Sequence, residues 1–190
     1  MTDASASSAS SSLSSLSPSR QGKTLVLALG NDLLGDDGVG LLAARRVRGA
    51  LEEAAAGGSE NGGSECVDIV ESGEAGLALL EMMEGYRNAI LLDAIVTGAH
   101  PPGTIIEFGV EDFARVLAPS PHYAGLPEVL ALARRLDVDF PEDIRVLAME
   151  VENPYEFQET LTEAVGRALP GYVEAILGIL QEWKAESAHA

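Results

Sequence analysis

LVLALGNDLLGDDGVG, residues Leu25 to Gly40, passes from an unbroken apolar run through Gly30-Asn31 to the paired acids Asp36 and Asp37, then Gly38 and Gly40. A continuous apolar run of this length suits a strand covered on both faces in a parallel sheet. The segment reads as a buried strand, Thr24 to Leu29, whose exit loop delivers carboxylates to a helix start. Val39 to Leu51 continues with Leu41, Leu42, Val47 and Leu51 at helical spacing, and Arg45, Arg46 and Arg48 take polar positions.

Further along, apolar runs and helical patterns alternate. After the flexible AAAGGSENGGSE segment, Cys66 to Val70 is a second strand closed by Glu71-Ser72-Gly73, and Ala75 to Met83 is an amphipathic helix ended by Gly85. Ala89 to Val96 is a third strand, interrupted by Asp93, and TGAHPPG follows as a breaker-rich loop. Thr104 to Phe108 is a fourth short strand, Glu111 to Leu117 one short helix, Leu126 to Leu136 an amphipathic helix, and Arg145 to Met149 the fifth strand. Phe157 to Trp183 has helical composition, with Pro170-Gly171 expected to kink it or divide it in two. Alternation of this kind predicts a single α/β domain, residues 23–186, built on a five-stranded, mainly parallel twisted sheet with helices on both faces.

Composition bounds the function. Of 190 residues, 46% are hydrophobic, enough for one well-filled core. A formal net charge of −18 opposes binding to nucleic acid or to anionic membranes, which require clustered Lys and Arg. Only Lys23 and Lys184 are lysines, and so acidic a surface suits a high-salt cytoplasm, where screening relieves self-repulsion. The Ser-rich stretch 1–22 has neither a charged n-region nor an apolar h-region, so it reads as a disordered tail on a cytoplasmic protein. Cys66 is the sole cysteine, which excludes an internal disulfide and a CxxC zinc site; heading a strand, it reads as core.

In open α/β sheets, ligands bind beyond the carboxyl ends of the strands. Asp37, Glu71 and Asp93 all fall at such ends or in the loops just after them. One acid suffices to cap a helix, so the second of Asp36 and Asp37 is available to a cleft. Asp93 is more informative, because a carboxylate in an apolar strand must be paired, protonated or metal-bound. A loop histidine, His122 or His100, would complete a set of one imidazole and two carboxylates suited to a borderline divalent metal such as Ni²⁺ or Zn²⁺. GNDLLG matches neither dinucleotide nor phosphate-binding loops, and its acids would repel phosphate, which disfavours a nucleotide-dependent enzyme. No nucleophile elbow or HExxH is present.

Three separated motifs resemble those of the NiFe-hydrogenase maturation endopeptidases. GNDLLGDDGVG (Gly30 to Gly40) is similar to the family's GN-x-L-x-x-D-[DE]-G-x-G, LLDAIVTGAHPPGTI (Leu91 to Ile105) to its strand-end Asp segment, and SPHYAGLPEVLALAR (Ser120 to Arg134) to its histidine segment. The resemblance runs from about Thr24 to near the C-terminus. It implies a metal-contacting trio of Asp37, Asp93 and His122, favouring His122 over His100 and leaving Asp36 to support the loop or helix start. It also implies a peptidase that removes the C-terminal extension of a nickel-loaded hydrogenase large-subunit precursor, with nickel carried by the substrate. The protein is expected to need no organic cofactor and to act as a monomer. Two departures stand out: Glu71-Ser72-Gly73 where the family often has Asp and two glycines, and Met149 to Pro154 where it often has a small Gly- or Pro-containing segment. The alternative from another class is a non-catalytic α/β protein whose acidic cleft binds a metal or a cation.

Overall fold

A computed structural model describes residues 20, 22–57, 67–109 and 126–189. The Ser-rich tail, Cys66, the expected helix at Glu111 to Leu117 and His122 lie outside the described residues. Strands β1 (Thr24–Leu29), β2 (Val67–Ser72), β3 (Asn88–Ile95), β4 (Ile105–Gly109) and β5 (Asp143–Glu150) form one sheet in the order β2-β1-β3-β5-β4. All pairings are parallel except that of β4 with β5 at the edge. Helices α1 (Val39–Ala56), α2 (Ala78–Met83), α3 (Leu126–Leu136) and α4 (Glu163–Ser187) complete the domain.

Period-two alternation divides the core into two layers. Val26, Ala28, Ile90, Leu92, Leu147 and Met149 pack against α1 and α4, whereas Leu25, Leu27, Leu29, Leu91 and Val146 face the layer of α2 and α3. β3, central in the sheet, is buried along its whole length, which explains its nearly unbroken apolar sequence. The expected mainly parallel sheet, covered on both faces, is therefore the observed one. Among the described residues no helix is long and apolar enough to cross a membrane.

Three helices depart furthest from their expected bounds, for identifiable reasons. α2 begins at Ala78 rather than Ala75, because Gly76 adopts a left-handed φ of +61°, which no helix interior permits. α1 extends to Ala56, so the alanines before Gly57 belong to the helix and not to the following loop. The C-terminal helix starts only at Glu163 and runs on to Ser187 undivided, with Pro170 inside it. Pro170 removes one bond, to the carbonyl of Gly166, but both residues are solvent-exposed, so water can satisfy that oxygen. Burial of Val165, Leu169, Tyr172 and Ile176 on the opposite face holds the turns on either side of Pro170 to the sheet.

Candidate active site

The chain leaves β1, passes through α1 to β2 on one side, then crosses by α2 to β3 on the other. The strand order thus reverses between β1 and β3, and at such a switch point the diverging loops leave a crevice beyond the carboxyl ends. Both carboxylates singled out in the sequence are carried to it. Ala28 pairs with Leu92, which places Asp93 level with Leu29, one residue before Gly30. Adjacent strands lie about 4.8 Å apart, so Asp93 and the start of the Gly30 loop are neighbours across the ladder.

Asp37 is brought back over this point by a single 3-10 turn, Gly35–Gly38. Its Oδ2 accepts a hydrogen bond of 2.7 Å from the Asn31 backbone N–H, which closes the loop on itself. Tight packing of that loop requires glycines. A Cβ on Gly30, at φ +138°, would lie 2.2 Å from the Asp37 carbonyl oxygen. A Cβ on Gly40 would lie 2.9 Å from the Leu92 carbonyl and 3.1 Å from that of Leu29, so the first turn of α1 rests directly on the carboxyl ends of β1 and β3. Gly30 and Gly40 of GNDLLGDDGVG are explained by these approaches.

Asp36 points elsewhere. Its two oxygens accept the Thr162 backbone N–H at 2.7 Å and the Thr162 hydroxyl at 2.8 Å. Thr162 is the N-cap of α4, so this buried carboxylate sits at the positive end of that helix and fastens the 3-10 turn to it. Neither the 3-10 turn nor α1 has a side-chain cap of its own. The expected supporting role of Asp36 is thus observed, but at the start of a helix 126 residues away.

Asp93 is completely buried, and its Oδ1 accepts the Ala94 backbone N–H at 2.8 Å. By alternation it faces the α2/α3 side with Leu91 and Ile95. Beneath it the Tyr172 hydroxyl donates to the Leu147 carbonyl, and burial, reinforced by the charge of Asp93, drives the phenol well above its usual pKa. Tyr172 is therefore a neutral donor bracing the carboxyl ends of β3 and β5. Glu71 takes a different part from the one its position suggested. It accepts from Arg45 Nε at 2.8 Å and from an Arg48 guanidinium nitrogen at 3.1 Å, which pins β2 to α1. Arg45 also reaches Asp32 at 3.1 Å, and the two carboxylates, Glu71 first, raise its already high pKa.

A cleft of about 490 Å³ opens beside the Gly30 loop, lined by Asn31, Asp37, Arg45, Glu71, Ser72 and Tyr155 among others. On the other side of β1, the loop that follows β3 is held by a further buried acid, one the sequence reading passed over. Glu150, buried at the end of β5, accepts the Thr97 and Gly98 backbone N–H groups at 2.8 and 2.7 Å and the Thr97 hydroxyl at 2.6 Å. This carboxylate holds down the loop that follows Asp93. An acid closing an apolar strand was the available signal, the same one that drew attention to Asp93. Among the described residues no three His, Cys, Asp or Glu side chains gather into a metal-holding cluster; Asp37 follows β1, Asp93 ends β3, and His122 lies outside the described residues.

A family profile described as hydrogenase maturation protease matches residues 54–179, well over half of the chain. The chain belongs to the hydrogenase maturation protease family. This protease is 30% identical over 167 residues, 87% of its length and 94% of the relative's, to hydrogenase 2 maturation protease of Escherichia coli (strain K12). It is 28% identical to the hydrogenase expression/formation protein HupD of Rhizobium leguminosarum bv. viciae, over 88% of its own chain and 79% of that one. Among solved structures, it is similar to the hydrogenase maturating endopeptidase HybD from E. coli, with a TM-score of 0.66 and 30% identity, covering 84% of this chain and 93% of that one. The [NiFe] hydrogenase maturation protease HybD from Thermococcus kodakarensis gives a TM-score of 0.60 at 25% identity, covering 83% and 99%. The protease is accordingly an endopeptidase on the α/β fold of its relatives, and the resemblance drawn from its three motifs holds.

Proposed function

We propose that this protease removes the C-terminal extension of a [NiFe]-hydrogenase large-subunit precursor after nickel has been inserted, using the substrate's own nickel for recognition. What supports the reading is the placement of Asp37 in the loop after β1 and of Asp93 at the end of β3, the two strands between which an α/β sheet of this order opens its crevice. His122, which lies outside the described residues, is the third member of the proposed set.

Two hard carboxylate oxygens and one imidazole form a sparse ligand set for nickel. A metal already held by the precursor's thiolates can be engaged by such a set without being extracted. Nickel contributes Lewis acidity near the scissile peptide. The carboxylates and the imidazole orient the peptide there, and a water activated at the metal or at one carboxylate adds to the peptide carbonyl carbon. The C–N bond then breaks and the leaving amine takes the proton. No organic cofactor is needed for this sequence of events.

Exchange of the two loop histidines tests the ligand set. His122→Ala lowers processing of nickel-loaded precursor by about a hundredfold or more, the scale of losing one preorganised group in an active site. His100→Ala, an exposed residue of the loop after β3, leaves the rate within about twofold. Gel-shift or intact-mass assays of both variants decide between them, and an inactive His100→Ala beside an active His122→Ala reverses the assignment.

A further inference from the structure

The exposed large hydrophobic residues are distributed very unevenly. Among the described residues there are six, Leu33, Leu77, Val96, Leu136, Tyr155 and Phe157. Leu33 follows β1, Leu77 follows β2, Val96 follows β3, and Tyr155 and Phe157 follow β5. Five of the six therefore stand on loops at the carboxyl edge of the sheet, around the crevice that holds Asp37 and Asp93. Only Leu136, at the end of α3, stands elsewhere.

Two of these loops are joined. Leu34 and Gln158 form an isolated parallel bridge, and the Gly35 N–H donates to the Gln158 carbonyl at 2.8 Å. Leu33 and Phe157, each one residue before the bridge, are thus held side by side, with Phe157 84% exposed. Tyr155 lines the same cleft as Asp37. The loops 30–38, 73–77 and 151–162 carry three, one and three acids, the loop 96–104 carries none, and no Lys or Arg stands in any of them; Arg45 of α1, which also lines the cleft, is paired with Glu71 and Asp32.

We infer that this acidic, apolar rim is the docking surface for the precursor, and that it takes a segment bearing apolar side chains flanked by Lys or Arg next to the peptide to be cut. The inference rests on the proposed function and names the chemistry of the partner surface. Isolated exposed apolar residues are ordinary, but their concentration around one cleft marks an interaction site. Opposite charge on the partner speeds encounter and excludes other partners. A second copy of this chain is a poor occupant, since two such rims would bring like charges together.

Capture of nickel-loaded large-subunit precursor on immobilised full-length protease, measured alongside clipping, tests the inference. The double substitution Leu33→Ser/Phe157→Ser weakens capture and raises KM at least tenfold, while Leu136→Ser changes either by less than twofold. Wild-type capture weakens as KCl is raised. Capture by the double variant within twofold of wild type overturns the docking surface, as does light scattering that shows the rim buried in a homodimer broken by the same substitutions. Precursor that is captured through the rim but never clipped contradicts the proposed function and leaves the docking surface standing. Normal clipping with an unaltered KM in the double variant does the reverse.

Discussion

Asp93→Asn abolishes precursor processing, by about a thousandfold or more, and leaves the protein folded. Asparagine keeps the shape of the side chain and an oxygen able to accept the Ala94 N–H, so that bond survives. What disappears is a negative charge at a fully buried position. An isosteric amide spares the folded state the desolvation penalty of a buried charge, which offsets what is lost with that charge, so the fold is expected to survive. The same charge is central to the proposed chemistry, because a neutral amide is a much weaker partner for a divalent metal or for an activated water. Thermal unfolding and clipping measured on one preparation separate the two effects. A variant that melts early and clips in proportion to its folded fraction would make Asp93 a structural residue.

Gly30→Ala produces the opposite combination, a loss of fold and of activity together. The added methyl would meet the Asp37 carbonyl oxygen at 2.2 Å, a distance no carbon tolerates, and alanine is strained at a φ of +138°. Relief requires the 3-10 turn to move away from β1, which pulls Asp37 from the Asn31 N–H and from the crevice. Strain and overpacking of this kind cost about 2–5 kcal/mol. In a chain of 190 residues that lowers Tm by about 5–15 °C. Processing falls at least about a hundredfold, because one carboxylate is displaced. Gly49→Ala, within α1 with open space around its Cα, is the matched control and raises Tm slightly. Calorimetry that finds both variants equally stable would show that the loop does not need its glycine.

The apolar runs and the two acids were legible in the sequence because their signals are local. A continuous run such as Leu25 to Leu29 is buried on both faces wherever it pairs, and Asp93 announces itself by breaking another such run. The GN…DDGVG motif likewise carries its glycines and its acids within one loop. What escaped the sequence depends on contacts between distant segments. Strand order is one instance: nothing in β1 states that it lies between β2 and β3, yet that placement creates the crevice. Asp36 is another, because its partner Thr162 is reached only after the chain has completed the sheet. Thr162 could have been noticed as a cap before Glu163, but not the acid that binds it. Glu71 faced the cleft in sequence, and the arginines of α1 claim it in the fold. The late start of α2 turned on the left-handed Gly76, whose conformation a permissive residue does not disclose.

Asp36 and Glu150 extend the consequence of that long-range wiring. Asp36 ties the loop after β1 to the start of α4, and Glu150 ties the loop after β3 to the end of β5. Both walls of the crevice are therefore anchored by buried carboxylates whose oxygens are occupied by backbone N–H and hydroxyl donors. The acids so employed are distinct from Asp37 and Asp93.

Recognition of nickel in the substrate is the central claim, and intact mass spectrometry of the precursor tests it most directly. Full-length protease is incubated with the same large-subunit precursor in nickel-loaded and nickel-free form, at equal concentration and with no free metal added. The account predicts loss of a C-terminal peptide from the loaded form alone. Equal clipping of both forms would contradict it.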